Sequence, residues 1–123
     1  MSATLLLSAT AIIEGATAVA LMLFPAVAVS LLFAADLPPI GAVVARFVGI
    51  ALLALAVACW LERQDKGRSA ALSSMLLYSI LATLFFAFLA FRREFVGPLL
   101  WPALVFHAGA CLLLGAAFRS PQQ

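Results

Sequence analysis

Four long apolar runs dominate the chain, each separated from the next by charges, proline or glycine. They extend from about Ala3 to Phe24, from about Pro39 to Leu61, from about Ala70 to Phe91 and from about Pro98 to Phe118. A helix needs about 20 mostly apolar residues to cross the hydrocarbon core of a bilayer, and each run has that length. Polar interruptions are few: Glu14 in the first run, Arg46 in the second, no charge in the third and His107 in the fourth. The segment at 25–34 is too short to span and opens at Pro25, which ends or kinks the preceding helix. The pattern predicts a short interfacial or re-entrant helix there, the alternative being one long helix kinked at Pro25.

The connections are short. Asp36-Leu37-Pro38-Pro39 leads into the second run, where proline suits a first turn whose amides have no intrahelical partner. The stretch from Glu62 to Ser69 holds five charges, Glu62, Arg63, Asp65, Lys66 and Arg68, and ends on Ser69, a good N-cap for the third helix. Arg92-Arg93-Glu94-Phe95-Val96-Gly97 precedes Pro98. Short loops between long helices favour antiparallel neighbours. The expected fold is all-α, an up-down four-helix integral membrane bundle with a short interfacial helix after the first span, formed by residues 1–123 as a single transmembrane domain.

Composition agrees with this picture and narrows the function classes. Hydrophobic residues make up 67% of the 123 and charged residues 10%, with a net charge of +2. An ordinary soluble domain is about 45–50% apolar and about 25% charged. A soluble globular domain, a disordered chain and a nucleic-acid module are therefore excluded, and two cysteines cannot build a disulfide scaffold. The third run carries no charge but many phenylalanines, read as lipid-facing or core bulk; Trp60 and Trp101, near segment ends, read as interfacial anchors.

Basic side chains near helix ends prefer the cytoplasmic face. Arg63, Lys66, Arg68 and Arg119 fall on the side of the termini, against Arg92 and Arg93 on the other. This bias places both termini in the cytoplasm, and it is weak enough to leave dual insertion open. Ala18-Val19-Ala20 has the small-x-small form of a leader cleavage site. No Lys or Arg precedes the run, Glu14 interrupts it and it continues past the site, so the segment reads as a span.

A charged side chain at the centre of a spanning helix costs about 2.5–3.5 kcal/mol on the insertion scale, so each such residue implies a partner. Glu14 lies near the middle of the first run. Arg46 lies about seven residues into the second, roughly 10 Å deep at 1.5 Å per residue. Antiparallel packing brings their depths within one or two turns, which predicts a Glu14–Arg46 ion pair facing the bundle interior. Thr10 and Thr17 share the helix face of Glu14. Ala45 and Gly49 form a small-xxx-small pair beside Arg46. His107, Cys111 and Gly115 recur every four residues, as do Ser74 with Tyr78 and Ser79 with Thr83. Together these stripes predict an interior polar binding site of Glu14, Arg46, His107, Tyr78, Thr10 and Thr17, roofed by Trp101 and floored by Tyr78. Each residue also has a structural reading: the ion pair as glue between two helices, His107 as a hydrogen-bonded core histidine, and the hydroxyls bonded back to their own helix carbonyls.

Several chemistries lack their residues. One histidine cannot give bis-histidine haem, and Cys59, Cys111 and His107 are too few for zinc or iron–sulfur ligation. There is no Cys-x-x-Cys, phosphate-binding glycine loop, acidic metal cluster or Ser-His-Asp set. No catalytic residue, cofactor or metal is assigned, and Cys59 and Cys111 are not expected to pair.

The run Arg46-Phe47-Val48-Gly49-Ile50-Ala51-Leu52-Leu53-Ala54-Leu55-Ala56-Val57-Ala58-Cys59-Trp60, taken with Glu14-Gly15 and the Pro25 break before Leu31-Leu32-Phe33, resembles the DoxX-like group of small four-helix bacterial membrane proteins. The resemblance covers roughly the first half of the chain. It implies an inner-membrane protein, some of whose relatives are accessory partners of membrane oxidoreductase assemblies, and carries over Arg46 and Glu14 as family-type positions without a catalytic role. Ala11-Ile12-Ile13-Glu14 also resembles the membrane carboxylate segment of the small multidrug resistance exporters. There the third run lacks the glycine-rich kink, the aromatic cage positions are unfilled and Arg46 would neutralise the carboxylate.

The leading expectation is a non-enzymatic accessory or assembly partner of a larger membrane complex, its partners being the bilayer and other membrane subunits, or itself as a homo-oligomer. The alternative is a homo-oligomeric small-molecule or proton-coupled transporter using Glu14. A third reading, an enzyme acting on a lipid or quinone through His107, has the least support.

Overall fold

The computed structural model describes residues 2–65 and 69–120. Among them the elements are five helices in chain order: α1 (Ala3–Leu23), α2 (Pro25–Phe33), α3 (Pro39–Leu61), α4 (Ala70–Arg92) and α5 (Leu100–Arg119). Of these, α1, α3, α4 and α5 are each long and apolar enough to cross a membrane. Lys66 and Arg68, which enter the orientation count, lie outside the described residues.

The helix limits follow local chemistry. Ser2 caps α1 by accepting from the Leu5 amide, and Ser69 caps α4 by accepting from the Leu72 amide. Glu62, at the end of α3, accepts from the Ala71 amide at 2.9 Å, placing a carboxylate on the positive end of α4. Between α1 and α2 a single residue breaks the helix: Phe24 leaves helical geometry (φ −131, ψ 55) and Pro25 opens α2. The segment after α1 is thus a separate short helix and not a kinked continuation of α1. The last helix starts at Leu100 instead of near Pro98, because the preceding backbone bonds elsewhere. The amides of Gly97 and Leu99 donate to the Leu32 and Leu31 carbonyls at 3.0 and 2.9 Å, which holds this stretch across the end of α2.

Two antiparallel hairpins make up the bundle. In the first, α1 packs closely on α3. Buried positions recur at alternating spacings of four and three on both helices: Leu7, Ala11, Glu14, Ala18 and Leu21 on α1; Ala45, Gly49, Leu52, Ala56 and Cys59 on α3. Most of these are small, so the backbones approach closely. A Cβ on Gly49 would lie 2.8 Å from the Ala18 carbonyl oxygen, and one on Gly15 would lie 3.8 Å from Ala56 Cβ. In the second hairpin α4 packs on α5, with Thr83 Oγ1 3.6 Å from Cys111 Sγ.

The hairpins share their larger core at one end. Leu6, Leu7 and Ala11 of α1, Cys59 of α3, Leu72 and Met75 of α4 and Leu114 of α5 form one core there. A second, smaller core of Ala18, Leu21, Ala45 and Leu52 comes from α1 and α3, with Ala28 and Val29 of α2 and Tyr78 of α4 packed against it. At that end the two hairpins stand apart, and the space between them is bordered by α2.

Candidate functional site

That space is an apolar pocket of about 1220 Å³. All five helices contribute walls: Leu21 from α1, Val27 and Leu31 from α2, Val44 and Val48 from α3, Leu81 and Phe85 from α4, and Ala103 and Phe106 from α5. Among the described residues four polar side chains also line it, Glu14, Thr17, Tyr78 and His107. Of these Thr17 has spent its hydroxyl on the Ile13 carbonyl of its own helix at 3.0 Å. Glu14, Tyr78 and His107 therefore supply its free polar chemistry.

Glu14 and His107 come from different hairpins. Glu14 occupies the central position of the α1 seam and is 2% exposed; His107 projects from α5 and is 5% exposed. His107 Nε2 lies 3.7 Å from Glu14 Oε1, within ion-pair range but longer than a hydrogen bond. The other ring nitrogen, Nδ1, is buried without a partner. Around the imidazole stand Tyr78 and Phe106, edge-on at ring-centroid distances of 5.4 and 5.1 Å, and Phe86, tilted at 5.6 Å. The Tyr78 hydroxyl approaches the Glu14 carboxyl closely enough to interact with it. A histidine ringed by aromatics and facing a buried carboxyl is an unusual polar group at the end of an apolar pocket.

Arg46 is not part of this arrangement, and the expected Glu14–Arg46 ion pair does not form. Gly49 faces Ala18, Leu21 and Met22 while Gly15 faces Ala56, so Arg46 sits level with Met22. That is eight residues beyond Glu14, roughly 12 Å along α1 at 1.5 Å per residue. The guanidinium is exposed, and its Nε donates to the Met22 carbonyl at 3.2 Å. The carbonyls of a final helical turn lack intrahelical donors, so Arg46 caps α1 and places positive charge at its negative end.

The remaining expected residues separate. Thr10 is buried but donates to the Leu6 and Leu7 carbonyls of its own helix, and it does not line the pocket. Trp101 is exposed and forms no roof. Ser74 is exposed although Tyr78, one turn on, faces inward. Thr83 donates to the Ser79 carbonyl at 2.7 Å, whereas the buried Ser79 hydroxyl has no partner. Both cysteines are free. At the end of α3 the Arg63 guanidinium stacks 4.1 Å over the Trp60 ring, which fixes that indole beside the loop.

Two participants escaped the sequence reading. Phe86 and Phe106 pack on His107, and the signal for Phe86 was present: Tyr78, Ala82 and Phe86 fall every four residues on one face of α4. Among the described residues, no group of three His, Cys, Asp or Glu side chains could hold a metal ion. No known family model, curated protein or solved structure matches the chain.

Proposed function

We propose that this chain is an integral membrane protein that holds a small lipophilic molecule between its two helical hairpins, with the molecule's polar group against Glu14 and His107. The observation that carries this reading is the meeting of two buried polar side chains, Glu14 and His107, at the lining of a large apolar pocket. Ligand sites are typically apolar cavities of about 300–1,000 Å³ with a few placed polar groups; this pocket, larger at about 1220 Å³, has the same apolar lining with few polar groups. The outer surface supports residence in a bilayer: Phe91, Leu112, Ile40, Phe47 and Val105 are each at least 70% exposed, where a soluble monomer rarely shows large contiguous apolar patches.

The pocket wall also suggests the route. Val44 and Val48 of α3 and Leu81 and Phe85 of α4 line it while remaining exposed, so its rim is apolar. A molecule already dissolved in the acyl chains reaches such an opening without crossing water. The DoxX-like resemblance supports a bacterial inner-membrane location, and the basic residue count supports cytoplasmic termini.

Native mass spectrometry of the protein extracted from its own membranes in mild detergent tests the reading. The expected spectrum contains the chain with a non-covalent lipophilic adduct, and Ala103→Trp, which projects an indole into the pocket, sharply weakens that adduct while the protein still folds. A wild-type spectrum without any adduct, even after supplying membrane lipid extract, would contradict the proposal. The same spectrum bears on the accessory-partner reading, which further protein subunits in the particle would support.

A further inference from the structure

Resting on that reading, we infer that the bound molecule carries a protonated amine head on its apolar body, and that Glu14 is the counter-charge. The first ground is an imbalance of donors and acceptors. A carboxylate offers two accepting oxygens and no donor, and a neutral imidazole offers one donor and one acceptor. With Nε2–H turned toward Glu14, the unpartnered Nδ1 is a bare acceptor. Against these acceptors the chain sets one imidazole N–H and the Tyr78 hydroxyl, since the Thr17 hydroxyl is spent on Ile13. The free groups at the polar end want hydrogen-bond donors, and an ammonium head supplies up to three.

Charge is the second ground, and it follows from the position of Arg46. That guanidinium is committed to Met22, and among the described residues no lysine or arginine lines the pocket. A carboxylate in a membrane interior without a fixed cation is costly, and a cationic head would remove that cost. The same absence disfavours a phosphate or carboxylate head, which would meet Glu14 with no lysine or arginine among the described residues to hold it.

The aromatic rings are the third ground. Tyr78, Phe86 and Phe106 gather around His107 at the polar end, and electron-rich ring faces attract a partly desolvated ammonium. Beyond them the walls are aliphatic and phenyl surface suited to a hydrocarbon body.

The test compares three probes with the same alkyl chain: a long-chain primary amine, the matching alcohol and the matching methyl ketone. Each is titrated onto the full chain in nanodiscs of zwitterionic lipid, with occupancy read by native mass spectrometry. The wild-type protein should bind the amine at least about tenfold more tightly than the other two, in line with the loss expected when one partner of a buried charge pair is removed. Glu14→Gln should erase that preference while still binding the alcohol, which also shows that the variant is folded. Equal or tighter binding of the alcohol or ketone by the wild type would overturn the amine assignment and leave the pocket reading standing. An amine preference that survives in Glu14→Gln would overturn the role of Glu14. If the Gln variant does not fold, the wild-type ranking alone decides. Saturable binding of none of the three would overturn both this inference and the reading beneath it.

Discussion

His107 Nε2 lies 3.7 Å from Glu14 Oε1, and this contact joins the two hairpins at the polar end of the pocket. The hairpins share their larger core at the opposite end, around Leu7, Leu72, Met75 and Leu114. The pair is thus both a chemical site and a link between halves of the bundle.

Removal of His107 should leave the Glu14 carboxyl buried with fewer polar neighbours. His107→Leu is expected to destabilise the protein by about 1–3 kcal/mol, the usual cost of a buried polar group losing its partner. A double-mutant cycle with Glu14→Gln should give a coupling of about 0.5 kcal/mol or more, as for residues in contact. Thermal unfolding of the four proteins in one detergent measures it, and additive effects would show that the contact is energetically idle.

The corresponding cycle between Glu14 and Arg46 should return a coupling near zero, because Arg46 bonds the Met22 carbonyl roughly two turns away. Arg46→Gln alone is expected to cost about 0.5–1.5 kcal/mol, the worth of a typical net hydrogen bond. Hydrogen exchange should show the loss as fraying of the last turn of α1, and protection unchanged around Leu21 and Leu23 would count against the capping role.

Gly49 sets the spacing of α1 and α3. A methyl group there meets the Ala18 carbonyl oxygen and Met22 Cγ, each at 2.8 Å, so Gly49→Ala should destabilise by about 1–3 kcal/mol, the cost of overpacking a close interface. Gly109 and Gly115 have nothing within 4 Å of the same methyl position. Their alanine variants should be neutral, or more stable by up to about 1 kcal/mol from helix propensity. Thermal midpoints of the three variants compare these directly.

Gly97 holds α2 to the loop before α5. A Cβ at that position meets the Leu31 carbonyl carbon at 2.8 Å and Leu32 C at 2.7 Å, so Gly97→Ala should break the bonds from the Gly97 and Leu99 amides to α2. Faster exchange at those two amides is the expected result, with weaker ligand retention because α2 borders the pocket. Unchanged exchange at both would show that the contact is not needed to seat α2.

Much of the fold was legible because hydrophobic run length fixes a membrane-type helix more strongly than any local preference. Ser69 and Pro39 mark helix starts with side chains or rings whose effect is local, and they do so in the structure. The start of α5 was displaced because Gly97 and Leu99 bond to a helix about 65 residues earlier, a contact that no local pattern reports. Glu14 and His107 stood out as isolated polar residues in apolar runs, but their meeting required helix register. A depth estimate allowed Arg46 to reach Glu14; the small-residue seam, with Gly49 against Ala18 and Gly15 against Ala56, slides α3 so that Arg46 reaches the end of α1 instead. The aromatic ring around His107 was hidden by the abundance of phenylalanine on α4, where Phe86 faces inward while Phe85, Phe88 and Phe91 are exposed.

Photolabelling by a lipophile that bears a diazirine near its polar end tests the central claim most directly. In nanodiscs, peptide mapping should place saturable, competable labels on Tyr78, Phe86, Phe106 or His107, and Ala103→Trp should remove them. Labels confined to outward-facing residues such as Phe91, Val105 and Leu112, with no effect of Ala103→Trp, would contradict a ligand held between the hairpins.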